Sequence, residues 1–220
     1  MNIVYYGHSC FKVTTKPSGR ATDDVVAFFD PFDRSVGLRP PQGHADAVFV
    51  SHHHPDHDNI SLLKDDPVVI DTPGEYAIKG MNVVGIDAPH DSQDGAERGR
   101  VTIFVAETEE LRLCHLGDLG GDLTGEQLEQ LEGVDVLFIP VGGVYTIDGR
   151  QAADLVRKIE PKIVIPMHYK LKDTTIKIED EKKFCSQMGN CPKERVAKLT
   201  IKKKDLEGKN MEVVLMDLVN

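Results

Sequence analysis

Residues 51–58 read Ser-His-His-His-Pro-Asp-His-Asp, and four of the chain's nine histidines fall between positions 52 and 57. Imidazole and carboxylate are the donors that suit Zn, Fe, Mn or Ni. The preceding run, Ala47–Ser51, is apolar and reads as a buried strand. The cluster therefore sits at a strand's C-terminal end, where sheet folds commonly place their sites. A solvated loop could gather histidines by chance, but a buried strand leading into it argues otherwise, and the interior position excludes an added tag. Alternate side chains of an extended segment share a side, so His52 and His54 point together and His53 points away. Pro55 then turns the chain, which lets Asp56 and His57 approach a second ion nearby. Two such ions can share a water, lower its pKa towards neutrality and hold it as a hydroxide nucleophile. Asp56 would bind one ion, orient that hydroxide and later take up its proton. No Gly-x-Ser-x-Gly is present, which weakens a serine-hydrolase reading.

His-x-His-x-Asp-His after an apolar strand resembles the signature of the metallo-β-lactamase superfamily. That signature is completed by a further His, an Asp and a final His, here His90 in Ala-Pro-His-Asp, Asp118 in Leu-Gly-Asp-Leu and His168 in Pro-Met-His-Tyr. Gly7-His8-Ser9-Cys10-Phe11, Asp30-Pro31-Phe32 and Pro140-Val141-Gly142-Gly143 are similar to the branch of ascorbate-6-phosphate lactonase-like proteins. The resemblance covers nearly the whole chain. It implies an α/β (α+β) fold, a four-layer αβ/βα sandwich of the metallo-β-lactamase type, and a metal-dependent hydrolase. It also implies two divalent ions, zinc first, with Mn, Fe or Ni as alternatives. His52, His54 and His90 would hold one ion, and Asp56, His57 and His168 the other, with Asp118 bridging. His115 competes with His90. His90 is favoured because it follows a strand and begins a Gly-rich loop, whereas His115 ends a strand whose next turn already delivers Asp118.

Other residues are candidates around this centre. Asp30 either hydrogen-bonds a ligand imidazole and fixes its tautomer or caps the turn before Pro31. His8, in a Gly-His-Ser turn, is a catalytic group facing the cavity or an ordinary turn residue. Gly142 and Gly143 would let backbone approach a substrate closely. Tyr145 would donate to a developing oxyanion or pack locally. Arg98 and Tyr169 are further substrate contacts. The expected substrate is a small-molecule ester, lactone, thioester or phosphoester. The alternatives are a nuclease or phosphodiesterase of the same superfamily, an iron-dependent oxidative enzyme, and a metal-dependent binding protein without turnover.

The elements that must hold these residues follow from local pattern. Asn2–Tyr6, Cys10–Thr15, Val25–Asp30, Ala47–Ser51 and Val68–Ile70 carry β-branched or aromatic residues between turn formers. Asn82–Asp87, Val101–Glu107 and Leu111–His115 continue the series, and Lys16–Asp24 reads as a hairpin loop. Thr124 with Gln127, and Asp148 with Gln151, are capping boxes that start helices, the second carrying an apolar face of Ala152, Leu155, Val156 and Ile159. Val134–Ile139 and Lys162–Pro166 read as strands covered on both faces. Glu179–Met188 reads as helix, and Val196–Ile201 with Glu212–Leu218 as a closing strand pair. Strands covered by helices without strict alternation suggest stacked layers around two sheets, in a single domain spanning 1–220.

A net charge of −10 argues against a nucleic-acid partner, because that affinity comes largely from cations neutralising phosphates. The four cysteines form no Cys-x-x-Cys pair, and Cys185 and Cys191 are expected as two thiols in a reduced compartment. The role of the segment from Phe184 to Pro192 is open. The chain opens directly on a strand, with no basic and apolar leader, and no apolar run is long enough to span a membrane. A cytoplasmic location follows as the expectation, with homo-oligomerisation through a terminal strand edge left open.

Overall fold

Alternation in the opening strands decides the architecture. The computed structural model describes residues 1–16 and 23–219. Its first half contains β1 (Asn2–Gly7), β2 (Cys10–Thr15), β3 (Val25–Phe29), β4 (Gly43–His44), β5 (Ala47–Phe49), β6 (Leu63–Lys64) and β7 (Val68–Ile70). Ile3, Phe11, Val13, Ala27, Phe29 and Phe49 point to one face and enter the main core. Cys10, Val26, Phe28 and Val48 point to the other and form a second cluster with Phe32, Val36 and Leu38. That outer cover rests on a 3₁₀ turn, Arg34–Val36, rather than on a long helix.

The chain continues through β8 (Gly74–Ile78), β9 (Met81–Pro89), β10 (Arg100–Thr108), β11 (Leu111–His115), α1 (Gly125–Gln130), β12 (Val136–Pro140), α2 (Gly149–Ile159), β13 (Ile163–Met167), α3 (Lys182–Met188), β14 (Leu199–Thr200) and β15 (Glu212–Val213). One sheet runs β14-β1-β2-β3-β5-β7 and the other β15-β13-β12-β11-β10-β9-β8. Their inner faces meet through aromatic pairs, Phe11 on Phe138 at 4.3 Å and Phe49 on Phe104 at 5.3 Å between ring centroids. Both capping boxes form, at Thr124 and Asp148. α2 buries Ala152, Leu155, Val156 and Ile159 against the second sheet, and α3 packs on α2. The result is a mixed α/β architecture of two facing sheets, with α2 and α3 over the second.

Strand direction explains where the site lies. β1 and β3 each pair antiparallel with β2, and β5 is parallel to β3, so β1, β3 and β5 run the same way. In the other sheet β9 and β11 flank β10 antiparallel, while β12 and β13 follow β11 in parallel. The C-terminal ends of these strands deliver His8, Asp30, His52, His90, Asp118 and His168. The Thr102 amide donates to the Ser51 carbonyl at 2.8 Å and ties the two sheets together beside them.

Three expectations change. The closing segments are not strand partners: β14 pairs with β1 and β15 with β13, and a single bridge, Val196 to Met216, links them. Cys185 and Cys191 form a disulfide rather than two thiols. Gly189, left-handed at φ 74, ends α3 and turns the chain back, which brings the two Cα atoms to 5.2 Å, inside disulfide reach. β8, hairpinned to β9, was not foreseen, since only Ile78 of its residues is buried. The loop expected at Lys16–Asp24 falls largely on 17–22, outside the described residues. No helix among the described residues is long and apolar enough to cross a membrane.

Candidate metal centre

His8, Asp30 and His168 each follow a strand and each takes a left-handed backbone, at φ 55, 42 and 49. Such conformations cost a non-glycine residue about 1–2 kcal/mol and persist where surrounding structure fixes them. Here the His8 carbonyl accepts from Tyr5 Oη and from the His168 amide, both at 2.8 Å. The strained turns aim three side chains at one place.

Asp30 organises the cluster from beneath. Its Oδ1 accepts from the Ser51 amide at 2.7 Å, and its Oδ2 from Ser51 Oγ at 2.7 Å and His57 Nδ1 at 2.9 Å. Ser51 Oγ, having given its hydrogen to Asp30, accepts from His52 Nδ1 at 2.9 Å. Both imidazoles thereby carry a proton on Nδ1 and turn Nε2 inward. Of the alternatives open at Asp30, the structure shows the imidazole contact. Ser51 has no counterpart among the expected residues; only its place before the histidine run pointed to it.

Three sets of donors converge so that their ligand atoms lie within 4.8 Å of one another: His52, His54 and His90; His8, His57 and His168; and His52, His57 and Asp118. Asp118 Oδ2 lies 3.3 Å from His57 Nε2 and 3.0 Å from His168 Nε2, between the sets. Asp56 Oδ2 stands 3.2 Å from His8 Nε2. Buried His52 Nε2 has no hydrogen-bond partner, nor do the Nδ1 atoms of His90 and His168. An unpaired buried polar atom costs about 1–3 kcal/mol, so the inward Nε2 of His52, a ring whose Nδ1 is already paired with Ser51, suits a cation. The donor set, imidazole with carboxylate, fits a divalent transition ion.

Charge in the cluster is mutually dependent. Burial favours neutral His57, but the Asp118 and Asp30 carboxylates outweigh it and raise the ring well above the usual histidine range. Burial likewise opposes ionisation of Asp118, yet His168 and His57 hold its carboxyl well below the usual range. Burial, helped by His57, pushes His52 down to about 3. Burial and then His168 bring His8 down to about 4.

The cavity above the cluster measures about 670 Å³ and is lined by His54, Asp56, His90, Asp118 and His168 at its base, with Arg98, Tyr145 and Lys177 among its walls. Arg98 stacks its guanidinium 5.2 Å from the Tyr145 ring centroid. Its loop is anchored by Asp91, whose two carboxylate oxygens accept from the amides of Gln93, Gly95, Glu97 and Arg98. Neither Asp91 nor Lys177 was singled out from the sequence, where both sit in polar stretches that read as plain loop.

Other expected residues lie elsewhere. His115 is buried outside the donor sets; Nε2 donates to the Ser9 carbonyl at 2.9 Å and Nδ1 accepts from the Gly117 amide at 3.2 Å, leaving no lone pair for an ion. His53 is exposed, between Asp58 and Asp71. Tyr169 is off the cavity: the left-handed turn at His168 sends the next side chain into the core, against Tyr5, with its hydroxyl held by Arg195 Nη1 at 2.8 Å. Gly142 and Gly143 do not line the cavity either. The close approach at Gly142 is to the His168 carbonyl, which a Cβ there would overlap. His8 is fully buried beneath the donors and does not reach the cavity wall.

A family model described as a beta-lactamase superfamily domain matches residues 2–168. The UPF0173 protein of Pyrococcus abyssi is 30% identical over 191 residues, covering 77% of this chain and 83% of the relative. The UPF0173 metal-dependent hydrolase of Thermoplasma acidophilum is 29% identical over 79% of this chain and 85% of its own. Among solved structures, a Thermotoga maritima protein assigned as a Zn-dependent hydrolase of the metallo-β-lactamase superfamily superposes with a TM-score of 0.76 at 33% identity, covering 99% of both chains. The chain belongs to the metallo-β-lactamase superfamily and, within it, to the UPF0173 family of metal-dependent hydrolases.

Proposed function

We propose that this chain hydrolyses a small anionic ester, lactone or phosphoester with two divalent ions, His52, His54 and His90 holding one, Asp56, His57 and His168 the other, and Asp118 shared. One observation carries the reading: a single cavity has imidazole and carboxylate donors at its base and, on its walls, two cations, Arg98 and Lys177, against one carboxylate, Glu97. When bound, the ions supply a nucleophilic water at neutral pH and polarise the oxygen of the scissile group. The chain's own groups do the rest. Asp56 lines the cavity while its Oδ2 contacts His8, so its carboxylate is placed to orient the water and take its proton. Arg98, braced on Tyr145, and Lys177 would bind the anionic part of the substrate, and the Tyr145 hydroxyl would donate to oxygen as charge develops. Zinc is the first ion to test, with Mn, Fe and Ni after it. The lactonase-like resemblance makes phosphorylated lactones the first substrates, with phosphodiesters as comparators.

Elemental analysis of protein purified without added metal, followed by a hydrolysis screen of those compounds, tests the reading. The expected result is about two ions per chain and turnover that Asp56→Asn lowers by about 10²-fold or more, the range for losing a positioned proton acceptor. Arg98→Ala should raise KM for the anionic substrate and leave neutral analogues unaffected. A fully loaded protein inert across the panel would overturn it.

A further inference from the structure

We infer that His8 is an eighth protein ligand, completing the ion site of Asp56, His57, His168 and Asp118. The inference rests on the two-ion reading above and goes beyond it in naming a residue outside that donor set.

His8 has none of the properties of a substrate contact, being fully buried and off the cavity wall. Its Nε2 stands 3.1 Å from His57 Nε2 and 3.2 Å from Asp56 Oδ2, and its ring centroid lies 4.4 Å from that of His168. His57 Nδ1 donates to Asp30, so the nitrogen facing His8 is the one at which an ion would take the place of a proton. Two inward-facing imidazole nitrogens and a carboxylate oxygen at this separation form half of a coordination shell. The ligand atoms of His8, His57 and His168 lie within 4.8 Å of one another, as do those of His52, His54 and His90.

A structural histidine behaves differently in this same core. His115 satisfies both nitrogens with backbone groups. Among the described residues His8 has no backbone partner at either nitrogen: Nδ1 is buried and unpaired, and Nε2 contacts only His57 and Asp56. Its backbone is held at φ 55, and its carbonyl is fixed from two sides by Tyr5 and His168. Strain maintained by two hydrogen bonds sets a ring's direction, which a merely space-filling residue does not require.

The consequence is asymmetry between the sites. His52, His54 and His90 with Asp118 give four donors, the number zinc prefers. His8, His57, His168, Asp56 and Asp118 give five, which suits a six-coordinate ion such as Mn, Fe, Co or Ni.

The test is a cobalt titration of the full, metal-free chain, reading stoichiometry by chelator competition and coordination number by the visible absorption of Co(II). His8→Asn is compared with wild type, because Asn tolerates the left-handed backbone. The metal-free melting temperature is read alongside. The expected result is an unchanged first equivalent and a second bound about 10–100-fold more weakly, the loss seen when a metal site loses one supporting group. The band of the second ion should also intensify as its coordination number falls. A variant that binds both equivalents as wild type does, with the same spectrum, overturns the inference while leaving the two-ion reading intact. Wild type that takes fewer than two ions overturns both. Should the variant fail to fold, the crystal structure of cobalt-loaded wild type decides. His8 Nε2 at about 2.0–2.2 Å from the second ion supports the assignment, a normal metal–imidazole distance. Nε2 still hydrogen-bonded to Asp56 removes it.

Discussion

At the level of single residues, the Asp30 carboxylate fixes the proton positions on two imidazoles, one directly and one through Ser51. Asp30→Asn keeps the shape but presents an NH2 where an acceptor is needed, so His57 would move its proton to Nε2 and meet the ion with N–H instead of a lone pair. Ion affinity should fall about 10–100-fold, as is usual when a group supporting a ligand histidine is lost. Chelator competition measures it, and an unaltered affinity would reduce Asp30 to a turn residue before Pro31. The His-x-His-x-Asp-His run was legible in the sequence because its alternation and its turn at Pro55 are local geometry. The Ser51 relay was not, since it depends on a left-handed backbone at Asp30, which no residue type there announces. Tyr169 was misread for the same reason: the turn at His168 redirects it into the core.

At the level of elements, the ends of β12 and β13 hold each other in register. The Val141 amide donates to the Met167 carbonyl at 3.1 Å, and the Gly142 carbonyl accepts from the Glu179 amide at 2.8 Å. A Cβ on Gly142 would collide with the His168 carbonyl, so Gly142→Ala must push His168 out of line. Overpacking of this kind costs about 1–3 kcal/mol. For a chain of this size that lowers Tm by roughly 2–12 °C, and a titration should show weakened binding of the ion on His168. Gly125→Ala is the control, because a Cβ there meets nothing, and its Tm should hold or rise slightly. A Gly142 variant as stable and as metal-loaded as the control would show that the two strand ends move independently. Capping boxes at Thr124 and Asp148 were readable because donor and acceptor lie three residues apart. The fate of the last strands was not: β14 chooses Asn2 and Ile3, at the opposite end of the chain, and local pattern carries no record of such a partner.

Across the whole molecule, the buried histidines make the stability of the metal-free protein a two-sided function of pH. Burial brings His8 to about 4 and His52 to about 3, against about 6.5 in an unfolded chain. Below about pH 6.5 the unfolded chain therefore takes up protons that these two rings refuse when folded. Stability falls on acidification, by up to about 1.4 kcal/mol per pH unit for each ring. His57 works in the opposite sense. Its folded value is raised by Asp118 and Asp30 against the effect of burial, so its contribution is complete below about pH 6.5 and is lost as pH rises through the folded value. The urea midpoint of metal-free protein should accordingly peak near pH 6.5 and decline on both sides. Saturating divalent ion replaces the proton on His57, and the decline on the alkaline side should then disappear while the ions add stability of their own. An alkaline decline that persists unchanged in the loaded protein would mean that His57 keeps its proton and is not a ligand. A decline that vanishes, with one proton released per chain on loading at neutral pH, ties the charge on this one ring to the ion that takes its place.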